Sequence, residues 1–260
     1  MREHTTTLEQ SIRAARKKKD ILLMTHIVLG YPSFDDCARM VEDMVAAGVD
    51  LMELQIPFSE PMADGSVILR ANAEALNAGA TVEQSFEVAE RLTKEFDIPF
   101  LFMTYYNILF CQGVDTFVDR CNAIGIQGCI IPDLPPAEGQ EYLDAMKRND
   151  LAPVHIFTPN TPEPRMRFLS ESSSGFIYTV ARKGVTGKDT AFSQELEDYL
   201  TRCKNNTDLP IAVGFGVKSR EDIEFLRGKV DIAVVGSETI RVMEQEGVAA
   251  VKPFIETLVA

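Results

Sequence analysis

Two carboxylates frame the stretch with the most chemistry in it, Glu53-Leu-Gln-Ile-Pro-Phe-Ser-Glu-Pro-Met-Ala-Asp64-Gly65. Glu53 falls inside an apolar run whose members Leu51, Met52, Leu54 and Ile56 predict a buried strand. A carboxylate in such a place costs several kcal/mol unless it is paired or neutralised. Desolvation also raises a carboxyl pKa toward the range where the group works as acid or base near neutrality. Glu53 is therefore either a proton-transfer group or the partner of a basic neighbour in the wall of the fold, and the stretch alone leaves both open. Asp64 closes a loop broken by Pro57 and Pro61, just before the helix-like run Val67 to Leu76.

A second chemistry lies late in the chain. One apolar run ends in Gly214-Phe215-Gly216 and the next in Gly236-Ser237, each followed by a helix-like segment. Such glycines either turn tight corners or let the backbone N–H groups that open a helix approach an anion. Two pairs in successive loops favour a phosphorylated ligand. The net charge of −13 argues against nucleic acid or an anionic membrane as partner, and leaves a small anionic ligand open. Five cysteines (Cys37, Cys111, Cys121, Cys129, Cys203) form no CxxC pair, and His4, His26 and His155 are scattered. The expectation is a reduced, metal-free, cytoplasmic protein. The basic segment Arg13 to Lys19 and the apolar run Ile21 to Leu29 resemble a leader, but they read better as a solvated helix face followed by the first core strand. No stretch approaches the ~20 apolar residues of a membrane span.

The elements that must position these groups alternate regularly. After a helix over 5–19, apolar runs recur at 22–29, 49–56, 98–103, 126–131, 152–157, 175–180, 210–214 and 231–235, separated by amphipathic segments. That pattern predicts one (β/α)8 TIM barrel over 1–260, with an extra N-terminal helix and an extra helix in the loop after strand 2. An open, doubly wound sheet is the alternative. In a barrel of this kind, function collects at the C-terminal ends of the strands. The Glu53–Asp64 loop and the two glycine pairs all fall there. So does the polar, glycine-punctuated segment from Arg182 to Ser193, which reads as a closing lid.

With these residues assembled, the chain resembles the α subunits of tryptophan synthase, the indole-3-glycerol-phosphate lyases. The resemblance covers nearly the whole chain. It rests on the Glu53–Gly65 stretch, Tyr105-Tyr-Asn107, Asp133-Leu-Pro135, Arg182-Lys-Gly-Val-Thr-Gly187, Gly214-Phe-Gly216 and Gly236-Ser237. It implies a retro-aldol cleavage of indole-3-glycerol phosphate to indole and glyceraldehyde 3-phosphate, with Glu53 moving protons and Asp64 accepting a hydrogen bond from the indole N–H. It further implies that Tyr178, Gly187, Phe215, Gly216, Gly236, Ser237 and Ile68 surround the glycerol phosphate. His26, Met103 and Ile130 would enclose the indole, and Thr186 of the closing lid would meet the catalytic aspartate and exclude water.

The resemblance also implies a pyridoxal-phosphate β subunit as partner, in an αββα complex contacted through Glu60 and Pro61, and no cofactor in this chain. The chain departs from the family pattern at His26, where many members carry phenylalanine, and at Pro132, Gln55 and Tyr31. His26 is expected either to make a polar contact in the pocket or to stack as a neutral ring, with stacking favoured. The lid pair Lys188 and Asp189 is assigned no role. Two competing functions are a non-catalytic activator of the partner and a phosphate-binding isomerase barrel. Retention of Glu53, Asp64, Tyr178 and Gly187 speaks against the first, and the Glu53–Asp64 loop against the second.

Overall fold

Short runs of apolar and β-branched residues form nine parallel strands, as a sheet buried on both faces demands. They are β1 (Leu22–Val28), β2 (Leu51–Gln55), β3 (Phe100–Met103), β4 (Gly128–Ile130), β5 (Ala152–Val154), β6 (Ile156–Phe157), β7 (Ile177–Val180), β8 (Ile211–Gly214) and β9 (Ile232–Val235). The computed structural model describes residues 6–180, 194–214 and 216–259. The strands hydrogen-bond in the order β5-β4-β3-β2-β1-β9-β8-β7-β6. The two edges, β5 and β6, are separated in the chain by His155 alone, so the sheet closes into a barrel at a single divided strand.

The eight strands expected thus become nine, and the divided one contains a proline. Pro153 has no N–H to give to a ladder. Its carbonyl instead accepts from Ser174 N at 3.1 Å, and the His155 carbonyl accepts from Tyr178 N at 3.0 Å.

Alternation along the strands sorts side chains to two sides. One apolar cluster fills the barrel: Leu22 and Met24 of β1, Leu51 of β2, Leu101 and Met103 of β3, Ile130 of β4, Val154 of β5, and Ile232 and Val234 of β9. A larger cluster lies between the strands and the surrounding helices. The first helix, α1 (Leu8–Arg16), inserts Leu8 and Ile12 into the inner cluster, at 3% and 1% exposure, and so closes the N-terminal end of the barrel. It is shorter than the 5–19 expected. Thr7 sets its start through a capping box, its hydroxyl accepting from Gln10 N while Gln10 Oε1 accepts from Thr7 N.

Helices α2 (Phe34–Ala46), α3 (Ser66–Asn77) and α4 (Val82–Glu95) follow in turn, α3 being the extra helix expected after the second strand. The next helix, α5 (Tyr106–Gln112), was not expected as a separate element. At seven residues it is too short to show a helical period. Its first N–H, on Tyr106, donates to Asp133 Oδ1 at 2.9 Å and Oδ2 at 3.1 Å, which gives the Asp133-Leu-Pro135 motif a capping part. The remaining helices are α6 (Val114–Ala123), α7 (Gln140–Arg148), α8 (Glu163–Glu171), α9 (Gln194–Lys204), α10 (Arg220–Leu226), α11 (Ser237–Glu246) and α12 (Val251–Val259). Among the described residues, no helix is long and apolar enough to cross a membrane.

Candidate active site

A cavity of about 150 Å³ opens at the C-terminal ends of the strands. Ten of the expected site residues line it: His26, Glu53, Asp64, Ile68, Met103, Ile130, Tyr178, Gly216, Gly236 and Ser237. Thr186, Gly187 and Phe215 lie outside the described residues, as do Lys188, Asp189 and the rest of the expected lid. Pro132 does not line the cavity.

Glu53 reaches the cavity because it sits at an inward position of β2, in register with His26 of β1 and Leu101 of β3. Its Oε1 lies 3.1 Å from His26 Nδ1, and both side chains are almost wholly buried. Its Oε2 is buried with no hydrogen-bond partner among the described residues. His26 therefore makes a polar contact and does not serve only as a stacking ring. Burial opposes a charge on the imidazole, but the Glu53 carboxylate beside it, with help from Asp64 and Gln55, outweighs that and holds its pKa above the usual 6.5.

Asp64 is placed by its loop. The loop is fixed at Phe58, whose N–H donates to Asn72 Oδ1 of α3 at 2.9 Å and whose ring stacks on Tyr105 with centroids 5.0 Å apart. The Tyr105 hydroxyl accepts from Ala63 N at 3.1 Å and donates to Asp64 Oδ2 at 3.0 Å. Gln55 Nε2 donates to the same oxygen at 2.8 Å. Burial pushes the Asp64 carboxyl above its usual value, while His26, Gln55 and Tyr105 pull it part of the way back.

Gln55 and Tyr105 are the positioning groups that sequence reasoning missed. Tyr105 belonged to a quoted motif without a role, and Gln55 figured only as a departure. A polar residue two positions beyond Glu53, and so on the same strand face, was the available signal.

Tyr178 closes one side of the cavity. Its ring lies over Gly214, where a Cβ would come within 2.6 Å of the ring, so only glycine leaves it room. Burial and the nearby Glu53 and Asp64 charges push the phenol well above its usual value and keep it neutral. At the other end, Gly236 starts α11 with no side-chain cap, which leaves the first N–H groups of the helix without helical partners. Gly216, at φ +66°, adds a backbone turn beside it that favours glycine.

Glu238 and Arg241 also line this end and were not anticipated. Arg241 Nη1 lies 2.7 Å from Glu238 Oε2, so the acidic side chain in the first turn of α11 is matched by a cation. Tyr31, another departure, donates from its hydroxyl to Glu244 of α11 at 2.7 Å, and Arg70 of α3 bonds the same carboxylate at 2.6 Å. These contacts tie the rim to α11. The arrangement offers one buried carboxylate with a free oxygen, a second carboxylate held by two donors, an apolar wall from Ile68, Met103 and Ile130, and a helix N-terminus suited to an anion.

Comparison with known proteins supplies a family. The model for "Tryptophan synthase alpha chain" matches residues 12–257. A protein of that name from Desulforapulum autotrophicum is 61% identical over 251 residues, covering 96% of this chain and 99% of the relative. Another from Syntrophotalea carbinolica is 57% identical with the same coverage. Among solved structures, a chain of M. tuberculosis tryptophan synthase in an aminoacrylate-bound form superposes with a TM-score of 0.89 at 28% identity, covering 98% of this chain and 99% of that one. A chain of the tryptophan synthase complex from Pyrococcus furiosus gives 0.85 at 27% identity, covering 92% and 97%.

Proposed function

The chain belongs to the tryptophan synthase alpha chain family, and from that premise we propose that Glu53 and Asp64 carry out the family's reaction in the cavity described. The family cleaves indole-3-glycerol phosphate to indole and glyceraldehyde 3-phosphate in tryptophan biosynthesis, and this chain is a carbon–carbon lyase of that kind.

The cleavage is a retro-aldol. Carbon 3 of the indole gains a proton so that the ring can take up the electrons of the breaking bond, and the adjacent side-chain hydroxyl loses one as it becomes a carbonyl. The observation that carries the assignment is Glu53 itself, whose Oε1 is tied to His26 while its buried Oε2 is unpartnered and free to exchange protons with substrate. Asp64 has Oδ2 occupied by Gln55 and Tyr105. Its other oxygen is then available to accept from the indole N–H and to stabilise the positive charge that develops there. Ile68, Met103 and Ile130 take the apolar ring, and Gly216, Gly236 and Ser237 take the phosphate at the start of α11. Arg241 offsets the acidic Glu238 close to that phosphate.

We further propose a β subunit as partner, in an αββα complex, because the structural relatives include a tryptophan synthase complex. Met62, in the loop after β2, and Phe110 of α5 are 82% and 66% exposed at this end of the barrel and give a partner apolar surface to cover. In this reading pyridoxal phosphate belongs to the β subunit, the present chain carries no cofactor, one domain spans its length, and it works in the cytoplasm.

The test is indole release from indole-3-glycerol phosphate by the purified chain, with and without a β subunit, beside Glu53→Gln. Release that rises with β and is lost in the variant supports the assignment. Full release by Glu53→Gln would overturn it.

A further inference from the structure

Around the cavity, three buried polar atoms lack a hydrogen-bond partner among the described residues: His26 Nε2, Glu53 Oε2 and Gln55 Oε1. The first two belong to side chains that meet through their other polar atoms. His26 and Glu53 face each other in register across β1 and β2, with Nδ1 3.1 Å from Oε1. A carboxylate oxygen can only accept, so Nδ1 carries the proton of that bond. On its far side the imidazole is backed by Gly236, where a Cβ would sit 3.4 Å from His26 Cβ and 3.7 Å from Cγ. The ring is thus held between the carboxylate and the start of α11.

We propose that His26 is a positioning residue for Glu53: its Nδ1–H fixes Oε1, leaves Oε2 as the oxygen that exchanges protons with substrate, and supplies the charge that balances the carboxylate. The proposal rests on Glu53 being the proton-transfer group, as argued above. Its geometry has a further link. Gln55, whose Nε2 is committed to Asp64 at 2.8 Å, also favours the proton on His26, so the imidazole is coupled to both carboxylates of the site.

The charged and titratable groups that share the cavity with His26 are Glu53 of β2, Asp64 of the following loop, Tyr178 of β7, and the Glu238–Arg241 pair of α11. Tyr178 stays neutral through the physiological range. Burial alone would lower the His26 pKa, but Glu53, Asp64 and Gln55 raise it past 6.5. A raised value means that the stabilisation from the charged ring is complete below the unfolded value of 6.5 and is lost as pH climbs through the folded one. Over the same interval the ring loses the Nε2 proton and keeps Nδ1–H, so Glu53 keeps its hydrogen bond but loses the balancing charge beside it, and turnover falls on the alkaline side.

The experiment compares His26→Phe, His26→Asn and Glu53→Gln with the native chain across pH. In His26→Phe, which keeps a flat ring and removes Nδ1, kcat is expected to fall roughly 10- to 100-fold, the scale of a misplaced reacting group, with KM changing less and the alkaline decline gone. In His26→Asn the amide can replace the Nδ1 donor, so kcat recovers in part while the decline stays absent. A His26→Phe chain with native kcat and native pH profile overturns the proposal. If Glu53→Gln itself remains active, the reading of Glu53 has failed instead.

Should His26→Phe not fold, the native chain labelled with ¹⁵N-histidine decides, since it has only three histidines. The His26 ring should titrate above the usual 6.5 in the native chain and at lower pH in Glu53→Gln. Identical titration in both chains overturns the proposal.

Discussion

The two ends of the barrel are built on the same strands and have opposite characters. Toward the N-terminal end the inward positions hold Leu22, Leu51, Leu101, Phe176 and Ile232, and Leu8 and Ile12 of α1 close them off. Two or four residues further along the same strands, the inward positions hold His26, Glu53, Tyr178, Gly214 and Gly236. Of the eight buried side-chain atoms without a partner among the described residues, four belong to His26, Glu53, Gln55 and Thr104 at the strands' C-terminal ends. The opposite end has Gln127 Oε1 and Arg227 Nε, and the second of these lies 3.1 Å from a Glu224 carboxylate oxygen. The inward alternation of the strand is common to both ends, and only the side chains placed on it differ. One end supplies burial energy. The other spends part of it on groups held without full satisfaction, which is how a reacting site is kept ready.

That contrast can be broken at either end. The largest effect belongs to Glu53→Gln, for which we expect indole release to fall about 10²- to 10⁴-fold. Read at a pH above the His26 titration, where the ring is neutral in both chains, the urea midpoint should stay level or rise, because a buried carboxylate is exchanged for a neutral group of the same shape. Ile12→Ala is the converse. Removing a side chain that is 1% exposed from the inner cluster should cost about 2–5 kcal/mol in a urea titration and leave kcat unchanged in the folded fraction. A large drop in kcat there would mean that the two ends are not separable.

Gly214→Ala tests the boundary between them. Its Cβ would meet the Tyr178 ring at 2.6 Å, so the ring must move into the cavity. We expect a stability loss of about 1–3 kcal/mol together with a raised KM. The smallest effect is that of Thr7→Ala, which removes the cap of α1 and should cost about 1 kcal/mol with no kinetic change.

Most of the fold was legible because strand and helix periods differ and each apolar run was bounded by turn residues. The extra helix after β2 was legible for the same reason. The division of the fifth strand was not, since Ala152 to Phe157 reads as one apolar run unless the missing N–H of Pro153 is followed to its neighbours. The carboxylates were legible because a charged residue in a buried strand is conspicuous.

Their partners were less so. Tyr105 reaches Asp64 across 41 residues, and Arg70 reaches Glu244 across 174, pairings that depend on how the barrel closes rather than on any local pattern. His26 was legible as an unusual residue, but whether it would stack or hydrogen-bond depended on the β1–β2 register, which places it opposite Glu53.

The most direct test of the division of labour is one paired measurement on Glu53→Gln: the rate of indole release from indole-3-glycerol phosphate and the urea midpoint of the same preparation. The account predicts release reduced at least about 10²-fold, with an unchanged or higher midpoint when the midpoint is read above the pH at which His26 loses its charge. Release close to the native rate, or a loss of release that merely follows a lowered midpoint, would contradict it.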